Sequence, residues 1–462
     1  MLQALPANQW TPGAAAHILN RAAFGGTPKE VADLHAMGMW PAVEWLLTRG
    51  EESDLFPAPA LEPSLGPAQQ MQKDKSLDQA EKDMRRREMQ TAAREATRDL
   101  RDWWITRMAA TPNPVREKAV LFWHGHWATS IQKVKDPFFM LQQNETLRAR
   151  ALGPFGIFAR DMTRDPAMIR YLDLNSSKAG HPNENFAREF MELFTLGEGH
   201  YTENDIREAA RAFTGYRIAP GTGGFRFAPR DHDGGSKSLF GKSGRFSGDE
   251  VVDLIVTQPR CAVFIASKLW EFYAGEKPAE PLARKLGGEY RRLGMDTGKF
   301  LAVMWTSEEF HSAKVVRRQI KSPVQWLLQT CRFLEVAPPE GPAAANILSQ
   351  LGQNLFAPPN VKGWDQGRAW ISSSTLLLRY NLAGQLVRGD GPAQTPDLSR
   401  LLPDGTGEDA ACDLLGERFF QSPLPPSLRG KTLAFLRENT SSARSRRDLI
   451  HLLMSTPDYQ LT

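Results

Sequence analysis

Polar side chains that could take part in chemistry are concentrated in residues 181–205, HPNENFAREFMELFTLGEGHYTEND. The apolar residues of this stretch recur at the spacing of one helix face: Phe186, Phe190, Leu193 and Phe194. Asn183 is a favourable N-cap and Gly197 a favourable stop, so the spacing predicts an amphipathic helix between them. Thr202 and Asp205 predict the start of a second helix, and the two would form an αα-hairpin.

The charged positions on the first of these helices allow two interpretations. Glu184, Arg188 and Glu192 fall four residues apart on one line, and Asn185 and Glu189 share the neighbouring line. A ladder of ion pairs on a solvated face would explain this pattern, with each pair contributing about 0.2–0.5 kcal/mol. The same residues could instead form one wall of a polar pocket.

Two histidines in FWHGHWATS, His124 and His126, have the types needed to hold a metal ion. On an ideal helix they would point in different directions, but Gly125 between them permits a helix end, and in extended backbone both would face one side. A pair of this kind can chelate a metal. The alternative is a pair of buried histidines bonded to backbone carbonyls beside Trp123 and Trp127.

A second cluster lies in RDHDGGSK, where His232, Asp233 and Lys237 surround two glycines. Glycine lets a backbone approach a ligand closely, and an imidazole, a carboxylate and an ammonium together suit a metal-bridged or phosphorylated group. An ordinary surface turn with Asp-Gly chemistry explains the same residues. The segment lacks the Walker pattern, so it gives no motif for nucleotide binding.

Trp364 and Trp370 lie in the Pro/Gly-containing segment FAPPNVKGWDQGRAWI. Exposed indoles would stack on sugar rings or bases, whereas buried ones would fix the loop to the rest of the protein. The sequence has no GxSxG elbow, HExxH motif or glycine-rich dinucleotide fingerprint. Serine hydrolases, zincins and Rossmann dehydrogenases therefore have no positive support.

The composition is that of an ordinary folded protein. The 462 residues are 41 % apolar and 24 % charged, and the net charge of +4 makes no strong case for nucleic acid binding. The three cysteines, Cys261, Cys331 and Cys412, have no CxxC spacing and are interpreted as buried free thiols in a reducing compartment. No secretory signal or membrane-length apolar stretch is visible, which predicts a cytoplasmic protein or export to the periplasm only with a partner.

Helical periodicity dominates the chain, so the predicted fold is mainly α, a multi-helix globular protein with a small β-hairpin or irregular loop insertion near 220–245. A charged helix is predicted over 69–102 and a surface loop over 389–409. The predicted regions are 1–50 (N-terminal helices), 51–112 (Pro-rich linker and long charged helix), 113–335 (helical core carrying the candidate site) and 336–462 (C-terminal helical region).

Seven segments together resemble, in order, the bacterial family known as domain of unknown function 1800. They are HILNRAAFG, FWHGHWATS, NENFAREFMELFTLGEGHYTENDIREAARAFTGY, HDGGSKSLFG, KLWEFYAG, IKSPVQWLL and PPNVKGWDQGRAWI. The resemblance implies a predominantly helical protein and carries no assigned activity. Family members often look exported and are associated with proteins similar to sulfatases and alkaline phosphatases, which makes such a protein an expected partner. This chain departs from the pattern in lacking a visible signal sequence.

The resemblance also favours the pocket interpretation of the NENFARE segment, since the ladder does not account for Asn-Glu-Asn at its start. A helix N-terminus favours anions through its free N–H groups and its dipole. The matching polar positions include Arg21, His124, Asn183, Glu184, Asn185, Arg188, Glu189, Glu192, His232, Asp233, Lys237, Lys362 and Trp364.

The leading hypothesis is a metal-dependent hydrolase that acts on an anionic substrate, a phosphate or sulfate ester or a glycan. A divalent ion (Zn²⁺, Mn²⁺ or Fe²⁺) would activate water. The residues assigned to the metal are His124, His126 and Asp233. The catalytic residues are Glu184, Glu189 and His232, and the substrate-binding residues are Arg188, Lys237, Asn183, Asn185 and Trp364.

The alternative is a non-catalytic protein that binds an anionic glycan or docks onto a phosphatase-like or sulfatase-like partner. Arg188, Lys237, Trp364 and Trp370 would then make the contacts, while the other polar residues would form a closed hydrogen-bond network. An enzyme site should be an open cleft with unpaired charged groups, whereas a structural network should be buried and paired. Nucleic acid binding through the helix at 85–107 is disfavoured because EKDMRRREM alternates in sign.

Overall fold

The computed structural model describes residues 1–49, 55–390, 394–439 and 442–462. Parts of two predicted segments, residues 51–54 of the linker and 391–393 of the surface loop, lie outside the described residues. Within the described ranges the helices are α1 (Pro12–Ala22), α2 (Pro28–Ala36), α3 (Met39–Thr48), α4 (Leu65–Lys73), α5 (Gln79–Ala110), α6 (Pro114–His126), α7 (Ile131–Val134), α8 (Pro137–Arg150), α9 (Phe155–Thr163), α10 (Pro166–Tyr171), α11 (Glu184–Glu192), α12 (Glu203–Ala212), α13 (Gly248–Val256), α14 (Pro259–Ala274), α15 (Glu280–Arg292), α16 (Thr297–Trp305), α17 (Pro323–Leu334), α18 (Pro342–Gln350), α19 (Ser373–Arg388), α20 (Leu398–Leu401), α21 (Glu408–Leu415), α22 (Pro426–Glu438) and α23 (Ala443–Met454).

Two small antiparallel pairs account for the strands in these ranges. Strand β1 (Tyr216–Ile218) pairs with β2 (Phe225–Phe227), and β3 (Lys237–Leu239) pairs with β4 (Lys242–Gly244). Both pairs follow α12 and precede α13. The prediction of a mainly α fold with a small β insertion near 220–245 is therefore confirmed.

Several helices begin at the residues that the sequence indicates. Thr202 accepts a hydrogen bond from the Asp205 N–H while the Asp205 side chain accepts one from the Thr202 N–H, a complete capping box. Asn183 caps α11 through its side-chain oxygen, which accepts from the Asn185 N–H at 2.9 Å. Such caps stabilise a helix by about 1 kcal/mol each. These two caps set the residues at which α11 and α12 begin within the polar segment at 181–205.

The charged helix predicted over 69–102 has different limits in the structure. Helix α4 ends at Lys73, and α5 starts after Asp78, which forms a capping box with Glu81. Helix α5 then continues past 102 to Ala110, because its last turns bury their apolar side against the protein. The predicted surface loop at 389–409 contains the short helix α20.

The apolar side chains form one buried cluster that extends from Ala15 to Tyr459. Within it, α11 packs on α12, α14 packs along α15, and α6 packs on α8. The division into four regions stays a prediction. The three cysteines are buried and unpaired, as the sequence predicts, and burial raises the pKa of the Cys261 and Cys331 thiols.

Helix α6 is held at its first turns by a buried carboxylate. Glu117 is 1 % exposed, and its two oxygens accept hydrogen bonds from Trp104 at 2.9 Å, Arg107 at 3.0 Å and Arg148 at 2.5 and 3.0 Å. Burial raises the pKa of Glu117, but the bonds and charges of Arg148 and Arg107 outweigh it and hold the pKa below its usual range. The carboxylate thereby joins α5, α6 and α8.

The other end of α6 is held by contact between two glycines. Gly363 has a φ of 84°, and a Cβ added there would lie 2.1 Å from the Gly125 carbonyl oxygen. A Cβ added at Gly125 would in turn meet the Trp364 ring at 3.7 Å. Only glycine at 363 lets the loop lie so close to α6.

We expect Glu117→Gln to lower the free energy of unfolding by about 3–5 kcal/mol, because the buried negative charge that Arg107 and Arg148 share would be lost. The control is Glu145→Gln, since Glu145 pairs with the same Arg148 but is 44 % exposed, and it should cost less than about 1 kcal/mol. Urea denaturation measures both. Because the pKa of Glu117 is lowered on folding, its contribution is present above the carboxyl's unfolded pKa and is lost as the pH falls. Equal losses in the two variants would contradict the role of Glu117.

We expect Gly363→Ala to lower the free energy of unfolding by about 3 kcal/mol, combining about 1–2 kcal/mol for left-handed backbone with the cost of overpacking. Gly367→Ala is the matched control. Gly367 also has a positive φ, 63°, but a Cβ there would meet nothing within 4 Å, so only the backbone cost applies. Urea denaturation of both variants separates the backbone cost from the cost of overpacking. Similar decreases in the free energy of unfolding would show that the contact with Gly125 is unimportant.

Candidate functional site

His124 lies in the last turn of α6 and is 1 % exposed. Its Nε2 accepts a hydrogen bond from the Phe356 N–H at 3.1 Å, and its ring contacts Trp104 and Trp364 at centroid distances of 5.1 and 5.5 Å. Burial lowers the pKa of His124 to about 3. The imidazole is therefore neutral and is bonded to the backbone.

His126 has a different environment, on another side of the same helix. Its Nε2 donates to the Phe194 carbonyl oxygen at 3.0 Å, and its ring lies among the aromatic rings of Phe122, Trp123 and Trp127. Burial, with the charge of Lys268 adding to it, lowers its pKa to about 3. Both histidines thus have the backbone partners and the tryptophan neighbours that the alternative to metal binding describes.

The HDGGSK segment forms a closed hydrogen-bond network beside α12. Asp233 accepts from Arg211 Nε at 2.8 Å and Nη2 at 3.1 Å, and this arginine holds the pKa of Asp233 at about 2. The His232 Nδ1 donates to the Thr214 carbonyl oxygen at 3.0 Å. The buried Lys237 donates to the carbonyl oxygens of Asp233 and Gly235.

Some polar residues of α11 hold it to the neighbouring segments. Arg188 forms two hydrogen bonds with Glu203 at the start of α12, at 2.9 and 2.8 Å. Its ion pair therefore crosses between helices and does not run along α11 as a ladder. Asn183 Nδ2 donates to the carbonyl oxygens of Leu172 and Asp173, and Asn185 is exposed. This part of the segment fixes the αα-hairpin.

The carboxylates of Glu184, at the start of α11, and of Glu189, farther along the helix, are more open. Among the residues that the structure describes, neither Glu184 nor Glu189 has a hydrogen bond or an ion pair with a partner. Burial and the charge of Glu192 raise the pKa of Glu189, with Lys362 and Arg188 opposing. Glu192 itself accepts a hydrogen bond from the Tyr201 hydroxyl at 2.7 Å.

A cavity of about 380 Å³ opens beside Glu192. Its volume is within the range of about 300–1,000 Å³ that is usual for small-molecule sites. The walls come from α6, the end of α11 and the turn after it, α14, the start of α17, and the loop at 353–370. The polar lining residues are Lys118, His126, Glu192, Glu198, Lys268, Lys277, Gln319, Ser322, Gln325, Gln353, Lys362 and Gln366, and the aromatic ones are Phe122, Phe264, Phe272, Trp364 and Trp370.

The cavity gathers few of the residues that the sequence assigns to a site. His126 and Trp364 line it, and the His124 ring contacts Trp364. Glu189 does not line the cavity but interacts electrostatically with two lining residues, Lys362 and Glu192. The remaining assigned residues do not line it: Asn183, Glu184, Asn185, Arg188, His232, Asp233 and Lys237. The described part of the chain contains no group of three or more His, Cys, Asp or Glu placed to hold a metal ion.

Four lysines converge on this cavity: Lys118, Lys268, Lys277 and Lys362. In the described ranges none of these four has an ion pair. Lys118 is 6 % exposed, and its ammonium group donates to Gln325 Oε1. The lining contains two carboxylates, Glu192 and Glu198, so lysines outnumber carboxylates there, an excess that favours anions over cations.

Sequence reasoning missed Lys118, although the sequence contains a signal for it. Lys118, Leu121, Phe122 and Gly125 follow the i, i+3, i+4, i+7 spacing of one helix face, and all four line the cavity. A lysine within an apolar stripe is either buried at a cost or directed into a pocket. The other cavity lysines, Lys268 and Lys277, have no comparable local signal.

The cavity also lies where the segments that carry the family resemblance meet. Five of the seven contribute lining residues: FWHGHWATS, the NENFARE segment with the turn after it, KLWEFYAG, IKSPVQWLL and PPNVKGWDQGRAWI. A sixth, HILNRAAFG, supplies Arg21, which donates to the lining residue Gln319 at 2.8 Å. Segments far apart in the chain thus converge on one place.

None of the described helices is long and apolar enough to cross a membrane. No curated protein and no solved structure is significantly similar to this chain. The model of one family, described as Protein of unknown function (DUF1800), matches residues 17–461, nearly the whole length. The protein therefore belongs to the DUF1800 family, as the seven segments predict.

Proposed function

We propose that the protein binds a small anionic, hydroxyl-rich ligand, an acidic sugar or a sugar ester of sulfate or phosphate, in the cavity lined by the four lysines. The observation that carries the proposal is the convergence of Lys118, Lys268, Lys277 and Lys362 without ion pairs among the described residues. Hydrogen bonds from ammonium groups to carboxylate, sulfate or phosphate oxygens are about twice as strong as neutral ones. A ligand of this class would supply the missing negative charge.

The rest of the lining suits the uncharged part of such a ligand. Trp364 is partly exposed and offers an indole ring, and indoles stack on the apolar faces of sugar rings. Trp370 is 6 % exposed and instead fixes the loop to the rest of the protein. Gln366 is exposed at the cavity and has both donors and an acceptor for hydroxyl groups. The lining thus combines aromatic rings with many polar groups, as a ligand that has both a charged group and hydroxyl groups would require.

Metal-dependent hydrolysis stays a prediction with less support from the geometry. His124 and His126 are each bonded to the backbone, and Asp233 is paired with Arg211. An acid–base role for the carboxylates Glu189 and Glu192 has a physical basis, since two neighbouring carboxylates with different environments can divide such roles. Binding is the more direct conclusion, and a phosphatase-like or sulfatase-like partner would act on the same class of ester.

We expect the double variant Lys268→Gln, Lys362→Gln to bind galacturonate and glucose 6-sulfate at least about tenfold more weakly than the unaltered protein. A hydrogen bond to a charged group contributes about 1.5–3 kcal/mol, and 1.4 kcal/mol is a factor of ten. Raising the ionic strength should weaken binding in the same direction. Titration calorimetry with each ligand measures the affinities.

The control variant is Lys242→Gln, Lys299→Gln, which removes the same charge from exposed lysines that do not line the cavity. It should bind with unaltered affinity. Glucose and galactose, the uncharged counterparts of the two ligands, should bind more weakly than either. Failure of every anionic ligand to bind, or equal losses in the two double variants, would overturn the proposal.

A further inference from the structure

The inner wall of the cavity holds an amine in unusual surroundings. Lys118 is 6 % exposed, and its ammonium nitrogen lies 5.0 and 5.7 Å from the ring centroids of Phe24 and Phe272. Its hydrogen-bond acceptor is the uncharged side chain of Gln325. No aspartate or glutamate of the described chain forms an ion pair with it. The neighbouring Glu117 is directed to Arg107 and Arg148.

A second buried cation lies behind this amine. Arg21, 1 % exposed, donates to the carbonyl oxygens of Val315, Tyr273 and Thr462 and to the side chain of Gln319. Gln319 itself lines the cavity. Lys118 and Gln325 line the cavity here together with Gln319, whose amide is bonded to Arg21 and to the Phe272 carbonyl oxygen, and the charge of Arg21 acts on Lys118.

These surroundings disfavour the charged form of the amine. Burial, with the charge of Arg21 adding to it, lowers the pKa of Lys118 to about 7. An anion placed against the amine would favour the ammonium form and raise the pKa. Above neutral pH the ligand would then bind together with a proton.

We propose that the acidic group of the ligand binds at this inner end against Lys118, and that each binding event takes up a proton there. The inference rests on the proposed function and specifies where the charged group is recognised. Binding should be strongest below about pH 7, where the amine is already charged. It should weaken by up to about tenfold per pH unit from there to the pKa of the bound state.

The other titratable groups at the cavity come from several elements. On α6 itself, His126 has a pKa of about 3 and stays neutral. Glu192 and Glu198 come from the end of α11 and the turn after it, and Lys362 comes from the loop at 353–370. Lys268 comes from α14 and Lys277 from the segment after it. On α1 the facing group is Arg21, whose pKa burial lowers to about 9.

The test is titration calorimetry with galacturonate and glucose 6-sulfate at about pH 8, in buffers of low and high ionisation enthalpy. Neither acidic group titrates near this pH, so the buffer dependence of the heat counts protons taken up by the protein. We expect an uptake approaching about one proton per ligand. Lys118→Met should abolish the uptake and weaken binding at least about tenfold. It should also fold, because it removes a desolvated charge.

Two further variants distinguish proton uptake at Lys118 from a general loss of positive charge in the cavity. Lys118→Arg restores a cation that does not titrate, so it should recover part of the affinity without any proton uptake. Lys268→Met, at another cavity lysine, should weaken binding while the uptake remains. Binding without proton uptake in the unaltered protein, or an unchanged uptake in Lys118→Met, would overturn the inference and leave the proposed function standing. Absence of binding would overturn both.

Discussion

The burial of α6 on nearly all sides is the constraint on which the rest of the structure depends. A helix in that position must satisfy every polar group that it brings into the core, because an unpaired buried group costs about 1–3 kcal/mol. Glu117 is satisfied by two arginines and a tryptophan, and His124 and His126 by the backbone. His126 also lines the cavity, but its ring is bonded to the backbone, whereas the acceptor of Lys118 is the uncharged side chain of another lining residue, Gln325. The polar pattern of one helix thus separates its structural groups from its candidate ligand-binding group.

The same constraint explains the placement of the loop that carries Trp364. The close approach of Gly363 to Gly125 brings this loop against the last turn of α6, and Trp364 then covers His124 and forms part of the cavity wall. Two motifs separated by more than two hundred residues in the chain become one wall. The glycine at 363 has a purely steric role, yet it determines the shape of the candidate site.

The sequence predicts the fold better than the site, for physical reasons. Helix starts depend on residues a few positions apart, so the capping box of Thr202 and Asp205 and the cap at Asn183 could be read directly. Contacts between residues that are distant in the chain could not be predicted in this way. Arg188 pairs with Glu203, which belongs to another helix, and the four lysines of the cavity converge only through packing. The family resemblance, confirmed by the match over residues 17–461, drew attention to segments that line the cavity without specifying which of their side chains share it.

The three buried cysteines give the protein a built-in means of following its own dynamics. Cys261 lies on α14, Cys331 on α17 and Cys412 on α21, each shielded from solvent in the native state. A thiol reagent can reach them only when the surrounding segment opens, so the three labelling rates report three local opening equilibria. Equal rates would mean that the chain opens as a single cooperative unit. Faster labelling at Cys412 would show that the C-terminal helices open independently of the part that holds the cavity.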